Sequence, residues 1–220
     1  MVTKVENQAQ IGTETAVVGT LVHKNDELRT GAKSRLEVTF RDQTKFTLGE
    51  NAKVVVDRYV FNPEASTGEL ALKTGVAAFR LATGKLSEMR NKNITVSAPV
   101  AAMAVRGTDF WWGPIDGHFG VLLVSNSKLD VHNEAGAVML AKSGEGTDID
   151  PLKGGGGPGR PYLWPPEKVA RALATTSFAV ALGPTAPTAV GVAAVAAAAA
   201  VGATVTAAPP PSPPPRPASP

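Results

Sequence analysis

SRLEVTFRDQTKFTL, residues Ser34 to Leu48, decides how this chain folds. Leu36, Val38 and Phe40 alternate with Arg35, Glu37, Thr39 and Arg41. Asp42-Gln43-Thr44 interrupts the pattern, and Phe46 and Leu48 resume it. A period of two places these apolar side chains on one face, which is the pattern of a half-buried strand pair and not of a helix. Gly49-Glu50-Asn51 then turns the chain into KVVVDRYVF (Lys53–Phe61), a β-branched and aromatic run that Asn62-Pro63 and Ser66-Thr67-Gly68 break. Further short runs follow at Glu69–Lys73, Ala78–Ala82, Ile94–Ser97, Ala102–Val105, Gly120–Val124, Lys128–His132 and Ala137–Ala141. Turn residues separate them at Thr83-Gly84, Ile115-Asp116-Gly117, Ser125-Asn126 and Asn133-Glu134-Ala135-Gly136. About ten strands at this spacing predict an all-β sandwich, barrel or short β-solenoid.

The 220 residues suffice for one medium domain with appendages. Residues 1–150 hold most of the charge and nearly all the large apolar side chains, and read as one β domain. Residues 151–170 are Gly- and Pro-rich, with GGGG at 154–157, and read as a linker. A short helix is expected after Pro165-Pro166, because proline is tolerated where the helical N–H has no partner anyway. Val169 and Leu173 would share its face, docked on the β domain or frayed. Residues 171–208 form an Ala-rich, low-complexity segment, and 209–220 (PPPSPPPRPASP) a solvated polyproline stretch.

Net charge is +3, from 22 basic and 19 acidic side chains, with no run of five like charges. This is a mixed surface and not a nucleic-acid footprint. The absence of cysteine excludes disulfides, thiolate metal sites and Cys nucleophiles. The three histidines, His23, His118 and His132, have no metal-ligand spacing. Phosphate-loop, nucleophile-elbow, zinc-protease and calcium-loop signatures are absent. No catalytic residue, cofactor or metal is expected. Asp148/Asp150 and Asp109/Asp116 are the acidic pairs that a glycan-acting enzyme would need, although turns are the ordinary home of aspartate.

AVRGTDFWWG (Ala104–Gly113) concentrates the unusual residues. Gly107 permits a backbone bend, and Thr108 and Asp109 can satisfy amides within it. Arg106 is placed to pair with Asp109 or another carboxylate. Phe110 and one tryptophan would re-enter the core. Strand neighbours point to opposite faces, so Trp111 and Trp112 cannot share one face, and one of them is expected to be exposed. Arg106, Asp109, Trp111 and Trp112 are accordingly the candidate partner-binding residues, and the alternative is a structural bend.

Three ordered segments resemble FecR-type domains: NDELRTGAKSRLEVTFRDQTKFTLGENA (Asn25–Ala52), GVAAFRLATGKL (Gly75–Leu86) and APVAAMAVRGTDF (Ala98–Phe110). The resemblance spans about residues 15–145. Its motif positions here are Thr30, Gly31, Asp42, Gly84, Gly107, Thr108 and Phe110. Gln43 stands where that family usually has a turn glycine, Asn51-Ala52 replaces a frequent Asn-Ser, and an extra residue lies near Val76-Ala77. The resemblance implies an extracytoplasmic, twisted solenoid-like β module, periplasmic or at the cell surface. In the namesake regulators, a cytoplasmic anti-sigma segment and a membrane helix precede this domain and relay occupancy of an iron-siderophore receptor. Here Met1 lies about 15 residues before the domain, with no apolar span ahead of it, so a stand-alone FecR-type protein is expected, its N-terminus truncated or processed.

Ala189–Ala208 is twenty residues without charge. As a helix of about 30 Å it could cross a bilayer core, but its Ala and Gly content makes insertion close to break-even. It reads either as a low-complexity linker or as a membrane-associated helix. The function expected is a non-enzymatic envelope module that binds a protein partner of unknown identity. A structural or adhesive surface protein is the alternative, and a glycan-acting enzyme the remote one.

Overall fold

Alternating strand patterns separated by turns leave the chain only one economical way to bury its apolar faces, which is to lay sheet against sheet. A computed structural model describes residues 1–125, 127–150 and 156–179. The Gly-rich positions 151–155 and everything from residue 180 onward, including Ala189–Ala208 and the polyproline stretch, lie outside the described residues. Met1–Ala179 form one compact unit.

The strands, in chain order, are β1 (Val2–Glu6), β2 (Ala9–Ile11), β3 (Glu14–Thr15), β4 (Glu27–Thr30), β5 (Arg35–Thr39) and β6 (Lys45–Leu48). Next come β7 (Lys53–Asn62), β8 (Thr67–Thr74), β9 (Phe79–Ala82), β10 (Asn91–Ala98), β11 (Ala101–Val105) and β12 (Asp109–Ile115). The last are β13 (His118–Leu123), β14 (Leu129–Asn133), β15 (Gly136–Leu140), β16 (Glu145–Ile149) and β17 (Tyr162–Leu163), followed by helix α1 (Pro166–Ala174). They build two large sheets. One has the order β1-β5-β6-β9-β12-β13-β16-β17, the other β15-β14-β11-β10-β8-β7-β4-β2-β3.

The chain shuttles between them. The hairpin β5–β6 lies in the first sheet, β7–β8 in the second, β9 in the first, β10–β11 in the second, β12–β13 in the first and β14–β15 in the second. Because β9 crosses over and the chain then returns, β10 pairs in parallel with β8, Ile94 opposite Leu70 and Val96 opposite Leu72. This is a solenoid-like coil laid out as a two-layer stack, and the sheets do not close into a barrel.

Ser34–Leu48 forms the β5–β6 hairpin with Leu36 opposite Leu48 and Val38 opposite Phe46. Leu36, Val38, Phe46 and Leu48 are fully buried in the core between the sheets, with Leu28, Val54, Leu70, Leu81, Val96 and Val131 from the strands around them. Several strands carry no clear alternation in sequence. In β16, EGTDI, Thr147 is buried and Gly146 opposes Leu122 of β13. Its place is set by neighbours and not by its own β-propensity.

Candidate functional site

Most of the FecR-like motif positions fall where the chain crosses between sheets. Thr30-Gly31 links β4 to β5, Thr83-Gly84 leaves β9 for β10, and Arg106-Gly107-Thr108 joins β11 to β12. A crossover strips backbone groups of their ladder partners, so side chains must replace them. Thr30 Oγ1 donates to the Gly49 carbonyl at 2.6 Å and accepts from the Ala52 amide at 2.9 Å. Gly107 adopts φ +100°, a region glycine enters at little cost. The Thr108 amide donates to Thr83 Oγ1 at 2.8 Å, and Thr83 Oγ1 donates back to the Thr108 carbonyl at 3.0 Å.

Asp42, in the turn between β5 and β6, anchors the crossover that follows β9 from a fully buried position. Its carboxylate accepts from Thr44 Oγ1, from Tyr59 Oη at 3.0 Å and from the Leu86 amide at 3.2 Å. Gly84 passes directly over this turn: a Cβ there would sit 2.1 Å from the Asp42 carbonyl oxygen. Burial, followed by the adjacent Asp42 charge, holds the Tyr59 phenol well above its ordinary pKa. Gln43, in place of a turn glycine, adopts φ +71°. The left-handed geometry is therefore kept despite the side chain.

In the AVRGTDFWWG corner, the ion pairs are between segments. Arg80 of β9 grips Asp109 with two bonds, Nε to Oδ1 at 2.8 Å and Nη2 to Oδ2 at 2.6 Å. Hydrogen bonding to Asp109 raises the Arg80 pKa against the opposing effect of burial. Arg106 instead reaches Asp130 of β14 at 3.1 Å, with its side chain 70% exposed. A local Arg106–Asp109 latch does not form, because Asp109 opens β12 beside β9 whereas Arg106 remains on the side of the second sheet.

Both tryptophans are completely buried, which corrects the expectation that one would be exposed. They do point to opposite faces. Phe110 and Trp112 enter the core between the sheets, where Trp112 stacks on Phe119 at 5.5 Å. Trp111 turns to the outer face of the first sheet, which has a cover of its own. That cover is the segment 156–179. Trp164 lies on Gly120 and Gly146, where added Cβ atoms would approach its ring to 2.6 and 2.3 Å. Helix α1 then packs Ala172 and, more peripherally, Val169 and Leu173 around Trp111. Thr175 Oγ1 accepts from Trp111 Nε1 at 2.9 Å.

This strap is fastened by ions. Lys168 Nζ donates to Asp148 Oδ1 at 2.8 Å and to Tyr162 Oη at 2.9 Å, and lies 4.2 Å from the centroid of the Trp164 ring. Burial lowers the Lys168 pKa, but the hydrogen bonds with Asp148 and Tyr162 outweigh it and leave the pKa raised. Arg171 pairs with Asp116 at 2.7 Å. The carboxylates of Asp109, Asp116 and Asp148 are thus each held by a cation. Among the described residues no group of three potential metal ligands converges, and no helix is long and apolar enough to cross a membrane. The helix expected after Pro165-Pro166 forms as α1 and docks on the sheet, whereas the Trp164 stretch before it was hidden in sequence behind Gly and Pro. The signal of that stretch was Trp164, answered by Gly120 and Gly146 far away in the chain, and the signals of the helix were Pro165-Pro166 and the Val169/Leu173 spacing.

A two-sheet coil with these threonine, aspartate and glycine crossovers defines a class of β module. Residues 26–127 match the family model described as FecR protein. Two crystal structures of a "putative anti-sigma factor" from Parabacteroides distasonis share the fold, with TM-scores of 0.50 and 0.51 at 16% identity. Each alignment covers 67% of this chain, and 64% and 63% of those chains, so this chain spans less than two thirds of their length. No curated protein matches this sequence.

Proposed function

We propose that this protein is a non-enzymatic binding and signalling module of the bacterial cell envelope, working on the extracytoplasmic side through contact with another protein. The observation that carries the reading is the match of residues 26–127 to the FecR family model, whose motif residues are engaged in internal bonding: Thr30 and Asp42 through their side chains and Thr108 through its amide, with Asp109 beside them held by Arg80. Chemistry at these residues would cost the fold its fastenings, whereas binding uses the outer surface they support. Of the motif, Arg106 is the side chain that reaches water, beside Asp130. This charged pair at the rim of the second sheet is the proposed partner contact, and Trp111 and Trp112 act beneath the surface as its rigid support. Anti-sigma regulation, which the solved relatives are described as performing, is not carried over to this chain.

The test uses the full chain as bait against envelope and cytoplasmic extracts of the source cell. The wild type is expected to retain a specific envelope protein, and Arg106→Glu to lose it at unchanged melting temperature. Capture that is indifferent to Arg106→Glu would move the contact elsewhere on the surface. Fractionation placing the native protein with cytoplasmic markers would overturn the envelope assignment.

A further inference from the structure

Four segments meet where the chain leaves β9 for β10 and β11 for β12: 40–45, 83–92, 106–109 and 124–130. They are fastened to one another. The Lys85 amide donates to the Asp42 carbonyl at 2.7 Å, and the Gly84 amide to Thr44 Oγ1 at 2.9 Å. Thr83 and Thr108 bond each other twice, and the Asp109 amide donates to Ser125 Oγ at 3.0 Å. A Cβ on Gly107 would sit 3.1 Å from that of Ser87. The segments thus hold each other in place, and what they present to solvent needs little ordering on binding.

What they present is positive charge. Arg41 and Lys45 on the first segment, Lys85, Arg90 and Lys92 on the second, Arg106 on the third and Lys128 on the fourth are all exposed. Among the described residues only Arg106 of these enters an ion pair, with Asp130. The other carboxylates of the four segments are Asp42, which is buried, Asp109, which Arg80 holds, and Glu88, which is exposed. The turns at 31–33, 50–52, 75–78, 115–118 and 133–135 have the opposite balance: Lys33 stands against Glu50, Asp116 and Glu134. Cations without partners therefore concentrate at the crossovers. Like charges so placed repel one another within the fold, and their fields add outward into a positive potential.

We propose that this basic face, extending from Arg106 to Lys85 and Arg41, is where the protein docks, and that its partner is a protein with an acidic surface. The inference rests on the protein-binding reading above and adds the chemistry of what is bound. Charge complementarity is its ground: carboxylates of a partner would relieve the mutual repulsion of the cations and would be steered to them from a distance. Two observations favour a protein over an anionic lipid surface. Among their described residues the four segments expose no large apolar side chain that could enter a bilayer. Glu88 and Asp130 stand among the cations, where they oppose a uniformly anionic sheet, whereas a protein can set a cation of its own against each.

Fluorescence anisotropy of labelled poly-L-glutamate, titrated with the full chain, tests it. Wild type is expected to bind, and to bind more weakly as salt is added. Arg41→Glu/Lys85→Glu reverses two charges on the face and is expected to raise the dissociation constant about tenfold or more. Lys24→Glu/Lys33→Glu changes the net charge equally but lies elsewhere on the surface, and is expected to bind nearly as wild type does. Melting temperatures on the same samples identify any variant that loses binding by unfolding. A wild type that does not bind overturns the proposal, as do two variants equally weakened, which would show an effect of net charge alone. Phosphatidylglycerol vesicles provide the remaining arm. If they bind more tightly than poly-L-glutamate and lose that binding in Arg41→Glu/Lys85→Glu, the occupant is a lipid surface and the acidic protein is overturned. The titration uses purified components, so its failure is distinct from a failure of the extract experiment with Arg106→Glu.

Discussion

Gln43 carries a cost that its neighbours tolerate. An L-residue is disfavoured at φ +71° because its Cβ crowds the following carbonyl, and glycine is not. Gln43→Gly is expected to stabilise the protein by about 0.5–1 kcal/mol, the left-handed penalty less the extra entropy of glycine in the unfolded chain. The midpoint of chemical denaturation would report it. Gly84 lies at the opposite extreme. A methyl group there meets the Asp42 backbone at 2.1 Å, and backbone cannot swing aside as a side chain can. Gly84→Ala is therefore expected to cost about 3 kcal/mol or more by overpacking. Tyr59 adds a pH signature. Its folded pKa is raised, so the native state holds the phenol proton through the pH range in which the unfolded chain gives it up. The associated stability is complete below about pH 10 and is lost as pH rises toward the folded value. In a spectrophotometric titration Tyr59 should ionise only together with unfolding, and Tyr59→Phe should remove that step. The same variant should lose about 1–2 kcal/mol at neutral pH, because it takes a donor from the buried Asp42 carboxylate.

At the scale of elements, the strap behaves as a unit distinct from the sheets. It buries a separate apolar cluster around Trp111 and Trp164, and its Trp164 Nε1 is buried without a hydrogen-bond partner among the described residues. An unsatisfied donor of this kind costs about 1–3 kcal/mol. Trp112 Nε1 in the main core carries the same cost, but the strap sets it against a far smaller buried cluster and should open more readily than the main core. Trp164→Ala removes the side chain that fills the glycine slot, a change worth about 3–5 kcal/mol in a well-packed site. Two observations are expected from it: red-shifted emission as Trp111 meets water, and faster amide exchange over 162–177 while β5, β6 and β12 stay protected. Exchange rising equally everywhere would show that strap and sheets unfold together. Alkaline pH should act in the same direction as Trp164→Ala. The raised Lys168 pKa means that its contribution is complete below about pH 10.5 and falls away as pH rises through the folded value.

Across the whole molecule, the order of the chain sets how it folds. Each crossing between sheets postpones pairing, and the parallel β8–β10 contact waits until β9 has been laid in the other sheet. Contacts this distant in sequence predict refolding in milliseconds to seconds, slower than a helical domain of the same length, and stopped-flow fluorescence from the buried tryptophans would measure it. Much of this architecture is readable from the chain alone. The alternation in Ser34–Leu48, the runs at Lys53–Phe61 and Ile94–Ser97, and the turn residues between them each correspond to strands and hairpins in the structure. Period two records which face is wet, and that information is local. β1, β12 and β16 were harder to read. β12 is buried on both faces, so its DFWW run has no polar alternation, and β16 is built from Gly, Thr and Asp.

The sequence by itself determined the all-β class, the family motifs and the bend at Gly107, because periodicity, turn chemistry and backbone freedom act within a few residues. Only the tertiary structure decided which charges meet and what becomes buried. Arg80 rather than Arg106 holds Asp109, because sheet neighbours are chosen by pairing and not by proximity in the chain. Trp111 is buried because a strap some fifty residues later in the chain returns to cover the outer face. A strand pattern states that two faces exist. Whether the second face meets water depends on a segment that the pattern does not contain.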